Sequence, residues 1–334
     1  MIESAFDGYF ADPFVLQLGD GSYVAYGSSG APAVGDRVFE ALVSADLQEW
    51  QSRGPVLNRL NARFGDEYWA PEVAEADGAF WMYYSVGFGI HGHHIRVARA
   101  NSPLGPFADQ GVNLTPNEKF AIDPHPYLDT DGRWYLFFAR DVLVAERPGT
   151  HLAVAPLHTM VSLESQPTSV LEPNADWQIF EKDRQMYGAT FDWHTLEGPT
   201  VVRRLDTYWL TYSGGAWTGP GYAVSWAAAD SPMGPWRHAR EGSSPLLETT
   251  TDLIGPGHNS LTVTPHNGDA IAFHAWEEAH TARQLYVHHI TFEPEGPRVD
   301  GPIRGPSTFA SHEDLLYDSA PGSLAHRCAK QYRG

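Results

Sequence analysis

Apolar positions along this chain gather into short runs rather than long helical stripes. AFWMYYSVG, WYLFFAR, YWLTYSG and AIAFHAW are aromatic-rich, and Gly, Pro, Asp or Asn bounds each of them. Five segments share one plan: a polar or acidic residue beside Pro or Gly, then a turn, then an aromatic-rich run. They read ADPFVLQLGDGSYVAYGSSG, WAPEVAEADGAFWMYYSVG, IDPHPYLDTDGRWYLFFARD, EGPTVVRRLDTYWLTYSGG and GPGHNSLTVTPHNGDAIAFHAWE. Asp-Gly marks the bend in three of them (Asp20-Gly21, Asp77-Gly78, Asp131-Gly132) and Asn267-Gly268 in a fourth. Such pairs supply the left-handed backbone that a tight hairpin needs, so each unit is predicted to be a β-hairpin.

Asp12, Glu72, Asp123, Glu197 and His258 head the five units and recur about every 60 residues, the length of a four-stranded blade with its loops. A second signal repeats independently: SPLGPF near Ser102 and SPMGPW near Ser231 lie about two such spacings apart. A third strand follows each hairpin, as in HHIRVARA and YAVSWAAA. The predicted architecture is all-β: a five-bladed β-propeller, its four-stranded antiparallel blades set around a central channel. It forms one domain over 1–334, with blades starting near 12, 72, 123, 197 and 258. A β-sandwich pair or a parallel β-helix would not need hairpins at this spacing. The stretch after about Leu315 has weaker patterning and reads as a closing strand or a loose end.

Composition narrows the function. The 334 residues include 11 Trp, 15 Tyr, 16 Phe, 32 Gly and 25 Pro, which suits short strands and tight turns. A formal charge of −19, without a Lys/Arg run, repels phosphate, so neither nucleic acid nor an anionic membrane is expected as a partner. The single Cys328 rules out an intrachain disulfide and a thiolate metal cluster. The first residues do not read as a basic-then-apolar leader, so cytoplasmic residence is expected, or secretion if a leader was trimmed.

Equivalent positions at blade starts converge on one funnel, so Asp12, Asp123 and Glu197 are predicted to face a common pocket. Proline or Gly-Pro after each acid fixes the backbone where the chain enters a blade. Converging carboxylates repel one another unless chemistry uses them, and glycoside hydrolysis does. An inverting enzyme needs one carboxylate to activate water and one carboxylic acid to protonate the leaving oxygen, about 6.5–9.5 Å apart. A third carboxylate near the acid raises its pKa and keeps it protonated.

The ordered set ADPF, WAPE, IDPHP, EGPT and GPGHNS resembles glycoside hydrolase family 43 over nearly the whole chain, from Asp12 to about Gly301. That resemblance implies a five-bladed propeller that inverts α-L-arabinofuranosyl or β-D-xylosyl linkages of oligo- or polysaccharides. It implies Asp12 as general base, Asp123 as the residue that tunes the acid and orients the sugar, and Glu197 as general acid. His258 matches a histidine beside a water-clad calcium or similar ion, and Arg283 an arginine brought toward the acids; a blade-closing ion pair is the alternative for Arg283.

The remaining aromatic and ionic residues carry weaker expectations. Trp69 fits a platform on which a sugar's C–H face stacks, with Phe88 and Trp217 as further pocket aromatics and Trp193 in a flanking loop. Glu72 is expected to pair with a cation such as Arg96 or Arg140. His91, His93 and His94 read as solvated loop histidines, because neighbouring strand positions point to opposite faces. The alternatives are a same-fold glycosidase for a galactosyl or anhydro-sugar, or a carbohydrate-binding propeller without catalysis.

Overall fold

The computed structural model describes residues 2–30, 35–240 and 242–303; the segment after Leu315, with Cys328, lies outside the described residues. Strands dominate and run in chain order. The first sheet is β1 (Ala11–Gln17), β2 (Tyr23–Ser28), β3 (Arg37–Ser44) and β4 (Gln51–Asn58); the second is β5 (Glu67–Ala76), β6 (Ala79–Phe88), β7 (His91–Ala100) and β8 (Ala108–Asn113). Next come β9 (Ala121–Leu128), β10 (Trp134–Val142), β11 (Gly149–Thr159), β12 (Ser162–Leu163) and β13 (Thr168–Leu171). They are followed by β14 (Ile179–Met186), β15 (Ala189–Arg204), β16 (Thr207–Gly214), β17 (Ala223–Ala229) and β18 (Arg237–His238). A last sheet holds β19 (Ile254–Val263), β20 (Asp269–Trp276), β21 (Arg283–Glu293) and β22 (Gly296–Pro302).

The predicted hairpins form where the turn residues allow them. Asp77 (φ 53) and Gly78 (φ 70) make a left-handed two-residue turn between β5 and β6. Leu205 (φ 52) and Asp206 (φ 60) make the same turn between β15 and β16 without a glycine, which is why no Asp-Gly pair marks that unit. Strands β9 to β18 are joined into one ten-stranded sheet, because Gly149 and Thr150 of β11 pair in parallel with His194 and Thr195 of β15. β14 folds back on β15 as an extra hairpin in the longest gap between the repeats.

The first strands β1, β5, β9, β15 and β19 pack on one another: β5 touches β1 and β9, β15 touches β9 and β19, and β19 touches β1. The N-terminal segment completes the outer edge of the last sheet, with Phe6 bridging Leu285 and the Phe10 N–H donating to the Arg283 carbonyl at 2.8 Å. Between sheets the core is aromatic. Phe39 of β3 meets the edges of Tyr68 and Tyr84 from the second sheet at ring separations of 6.0 and 5.6 Å. Each such buried ring contributes roughly 1.5–3 kcal/mol relative to exposure.

One irregularity recurs in all five first strands. Pairing with the second strand skips between Ala11 and Phe14, Trp69 and Glu72, Ile122 and His125, Glu197 and Thr200, and Gly257 and Ser260. Each skip is a β-bulge around a left-handed residue: Asp12 (φ 52), Ala70 (φ 46), Asp123 (φ 57), Gly198 (φ 57) and His258 (φ 47). A non-glycine residue held there costs on the order of 1–3 kcal/mol, and such costs gather at functional sites. The bulge corrects the expected equivalence of the five heads: Ala70, not Glu72, and Gly198, not Glu197, match Asp12, Asp123 and His258.

Candidate active site

A bulge turns one residue out of the regular ladder and frees its backbone N–H, which must find a new partner. In four strands the neighbouring unit supplies it. The Asp12 N–H donates to His274 Nδ1 (3.0 Å), the Ala70 N–H to Ser28 Oγ (2.8 Å), the Gly198 N–H to Asp123 Oδ2 (3.0 Å) and the His258 N–H to Ser213 Oγ (2.7 Å). The same bonds that settle the strain place the acids.

Asp12, Asp123 and Glu197 are brought together. His258 Nδ1 lies 3.4 Å from Asp12 Oδ1 and 3.9 Å from Asp123 Oδ2, so the two aspartates flank one imidazole. Asp123 in turn accepts from the amide next to Glu197. Gly198 explains why the fourth unit reads Glu-Gly-Pro rather than Asp-Pro. A side chain at its bulge position would come within 3.3 Å of the His258 ring, so the acid stands one residue earlier.

Electrostatics divide the three acids. Burial works to raise the pKa of Asp12, but the opposing interactions, led by the Arg283 guanidinium, whose Nη1 is 3.1 Å from Oδ1, and including the His258 and His274 rings, together outweigh it and hold the carboxyl well below the usual range. His258 and His274 add little positive charge near neutrality, because burial lowers the pKa of both, that of His274 to about 4. His274 Nδ1 moreover accepts the Asp12 N–H, so that nitrogen carries no proton. Asp12 also receives the Ser28 hydroxyl.

Glu197 moves the other way. Its carboxyl keeps some contact with solvent while most of its surroundings are protein; burial, assisted by the nearby Asp12 charge, pushes it up to about 7 against the opposing hydrogen bond from Tyr222. Asp123 is raised well above its ordinary value by burial and then by Glu197 and Asp12. Asp123 and Glu197 therefore titrate as a pair, with protons held near neutrality beside an ionised Asp12.

Arg283 also donates from Nη2 to Tyr9 Oη at 3.1 Å and lies 4.5 Å from the centre of the Trp217 ring. Trp217 stacks on Trp276 at 6.1 Å, which puts both indoles beside Asp12 through Arg283. Trp69 is partly exposed, and one face of its indole is covered by the His93 ring at 3.7 Å. His93 is fully buried, against the expectation of a solvated loop residue, whereas His91 is exposed. Phe88 is 50% exposed at the end of β6, beside the turn to β7 and in no ring contact with the acids. Trp193 is not a loop residue: it is buried in β15.

Glu72 does not pair with either expected arginine. Arg96 binds Asp109 and Arg140 binds Glu118, while Glu72 Oε2 lies 2.6 Å from His125 Nδ1. His125 Nε2 accepts the Val201 N–H at 3.0 Å, so Nδ1 carries the proton and donates to Glu72. This pair lies two residues beyond the bulges, one layer below the three acids.

For calcium, His258 offers one imidazole, and among the described residues no three His, Cys, Asp or Glu side chains gather to hold a metal. Hard cations take six to eight oxygens, so the set does not fit a tightly held calcium; an ion there would be bound mainly through water.

Sequence reasoning missed Tyr222, His274, Ser28 and His125 as site residues. Nothing local in the sequence marks them, and only the pairing of the strands and the course of the chain reveal that they meet the acids.

The family model "Glycosyl hydrolases family 43" matches residues 6–297. The chain is 29% identical to the β-D-galactofuranosidase xynD of Aspergillus niger over 86% of this chain and 78% of that protein. It is 25% identical to an extracellular exo-α-(1→5)-L-arabinofuranosidase of Streptomyces avermitilis over 79% of this chain, and spans 54% of that relative's length. The solved structure of an endo-1,4-β-xylanase from Bacteroides thetaiotaomicron superposes with a TM-score of 0.72 at 28% identity, covering 90% of this chain and 97% of that one. With its carboxylates gathered at recurring bulges and the family model spanning nearly all the described strands, the chain belongs to glycosyl hydrolase family 43 and is a glycosidase.

Proposed function

We propose that this chain is an inverting glycosidase that releases α-L-arabinofuranosyl or β-D-xylosyl units from oligo- or polysaccharides, acting on chain ends or side branches. The single observation that carries the reading is the opposite pull on two acids in one pocket: contacts led by Arg283 keep Asp12 ionised, while burial raises Glu197 to about 7. Asp12 takes a proton from a water as that water's oxygen bonds to the anomeric carbon. Glu197 gives its proton to the glycosidic oxygen as the bond to that carbon breaks. Asp123, whose Oδ2 accepts the Gly198 amide beside Glu197, orients the sugar, and its titration is tied to that of Glu197. Trp69 and Trp217 supply apolar faces for the ring.

The same proposal takes the fold as a five-bladed propeller in one domain. The ring of contacts among β1, β5, β9, β15 and β19, and the N-terminal segment paired to β21, support it.

A second reading rests on the galactofuranosidase relative. A β-D-galactofuranoside matches an α-L-arabinofuranoside except for a further hydroxymethyl group on C5, so one pocket shape decides between them. A panel of nitrophenyl glycosides separates the two sugars.

The test of roles uses two variants and two leaving groups. Asp12→Asn is expected to abolish turnover of every substrate. Glu197→Gln is expected to spare a dinitrophenyl glycoside, whose leaving group needs no proton, and to lose at least 100-fold on a disaccharide. Equal losses on both substrates would overturn the acid assignment.

A further inference from the structure

Tyr222 stands in a slot that the chain has built around it. It is 1% exposed, and its ring stacks on His274 at 5.7 Å with 10° between the planes. On the β19 side is Gly257, where a Cβ would overlap the Tyr222 ring, so glycine is the residue that lets the phenol in. The Tyr222 hydroxyl donates to Glu197 Oε1 at 2.6 Å. His274, the other wall of the slot, accepts the Asp12 amide at 3.0 Å. One rigid stack thus touches both the carboxyl assigned as acid and the backbone of the residue assigned as base.

We propose that Tyr222 is the positioning residue for Glu197: seated between His274 and Gly257, it occupies Oε1 and leaves Oε2 to carry the proton toward the departing oxygen, at a separation from Asp12 fixed by the shared His274. The inference rests on the acid and base roles proposed above. Burial and the adjoining Glu197 raise the Tyr222 pKa well above its ordinary value, so the phenol stays a donor across the working range. Its hydrogen bond also favours the Glu197 carboxylate, opposing the effect of burial. Removing it therefore has two separable consequences. The acid loses its aim, which matters most when the leaving group needs a proton. The acid also holds its proton to higher pH, which moves the alkaline limb of the rate profile upward.

The experiment compares wild type, Tyr222→Phe, Gly257→Ala and Glu197→Gln on a dinitrophenyl α-L-arabinofuranoside and an α-L-arabinofuranosyl disaccharide, with circular dichroism confirming that each is folded. Tyr222→Phe is expected to lose at least tenfold in kcat on the disaccharide and less than threefold on the dinitrophenyl substrate. Its alkaline limb is expected to shift upward by about half a unit or more. Gly257→Ala keeps the phenol but fills its slot, and is expected to show the same leaving-group selectivity. Equal losses on both substrates with an unmoved limb in Tyr222→Phe would overturn the proposal, provided Glu197→Gln shows the selectivity. If Glu197→Gln itself shows none, the assignment of the acid has failed, and the role of Tyr222 fails with it.

Discussion

Arg283 reaches from the start of β21 to within 3.1 Å of Asp12 Oδ1, pairing a cation from the last sheet with an acid from the first strand. This contact leads the interactions that keep Asp12, the proposed base, ionised. Because an opposite charge at that range lowers a carboxyl pKa by about 1–3 units, Arg283→Met should let burial raise Asp12. The acidic limb of kcat/KM is expected to move up by a unit or more, with activity falling at pH 5 more than at pH 7. A pH–rate profile checks this; an unmoved acidic limb would show that Arg283 is not what keeps Asp12 ionised.

Glu197 is costly to fold around. Its pKa in the folded protein is about 7, above an unfolded value of about 4.3. The folded state thus holds the proton more tightly, and the stability this gives is lost as pH rises across that window. Glu197→Gln removes the titration and is expected to melt at a higher temperature than wild type at pH 8, with the gap closing toward pH 5. Melting curves at the two pH values measure it, and a gap that does not depend on pH would count against the assigned shift.

The Glu72–His125 pair is a structural pin beneath the acids. Removing Glu72 leaves the buried His125 N–H without its acceptor, which costs about 1–3 kcal/mol. Glu72→Ala is expected to lower the melting temperature by at least about 2 °C at neutral pH. A change of a degree or less would place the pair among contacts that contribute little.

The proposed propeller makes its own demand on the N-terminal segment. Deleting the first nine residues exposes the edge of β21 that Phe6 covers and removes the Tyr9 hydroxyl from Arg283. The shortened chain is expected to melt earlier and to aggregate more readily, by calorimetry and light scattering. Unchanged melting would mean that the segment only rests on the sheet.

Much of this was legible in the chain. Asp-Gly and Asn-Gly bends announced four hairpins because those turns need left-handed backbone, and recurrence about every 60 residues announced the repeat. Asp12, Asp123 and Glu197 could be picked out because proline or Gly-Pro followed each. What the chain hid was register. A bulge is a property of how two strands pair, so nothing in WAPE says that Ala70, and not Glu72, stands in the position of Asp12. The partners of the acids were hidden for the same reason: Ser28 ends β2, Tyr222 lies just before β17 and His274 is in β20, and none carries a motif that links it to an acid. His93 was misread because its burial beneath Trp69 depends on the path of the β6–β7 turn.

The most direct test of the central claim is proton NMR of the anomeric signal in the first minutes of hydrolysis of an α-L-arabinofuranoside or β-D-xyloside. Asp12 and Glu197 acting on opposite faces of the sugar predict that the first sugar released has the inverted configuration, β-L-arabinofuranose or α-D-xylose. First release of the retained anomer would contradict the account, because it would require one of these carboxylates to bond to the sugar rather than activate water.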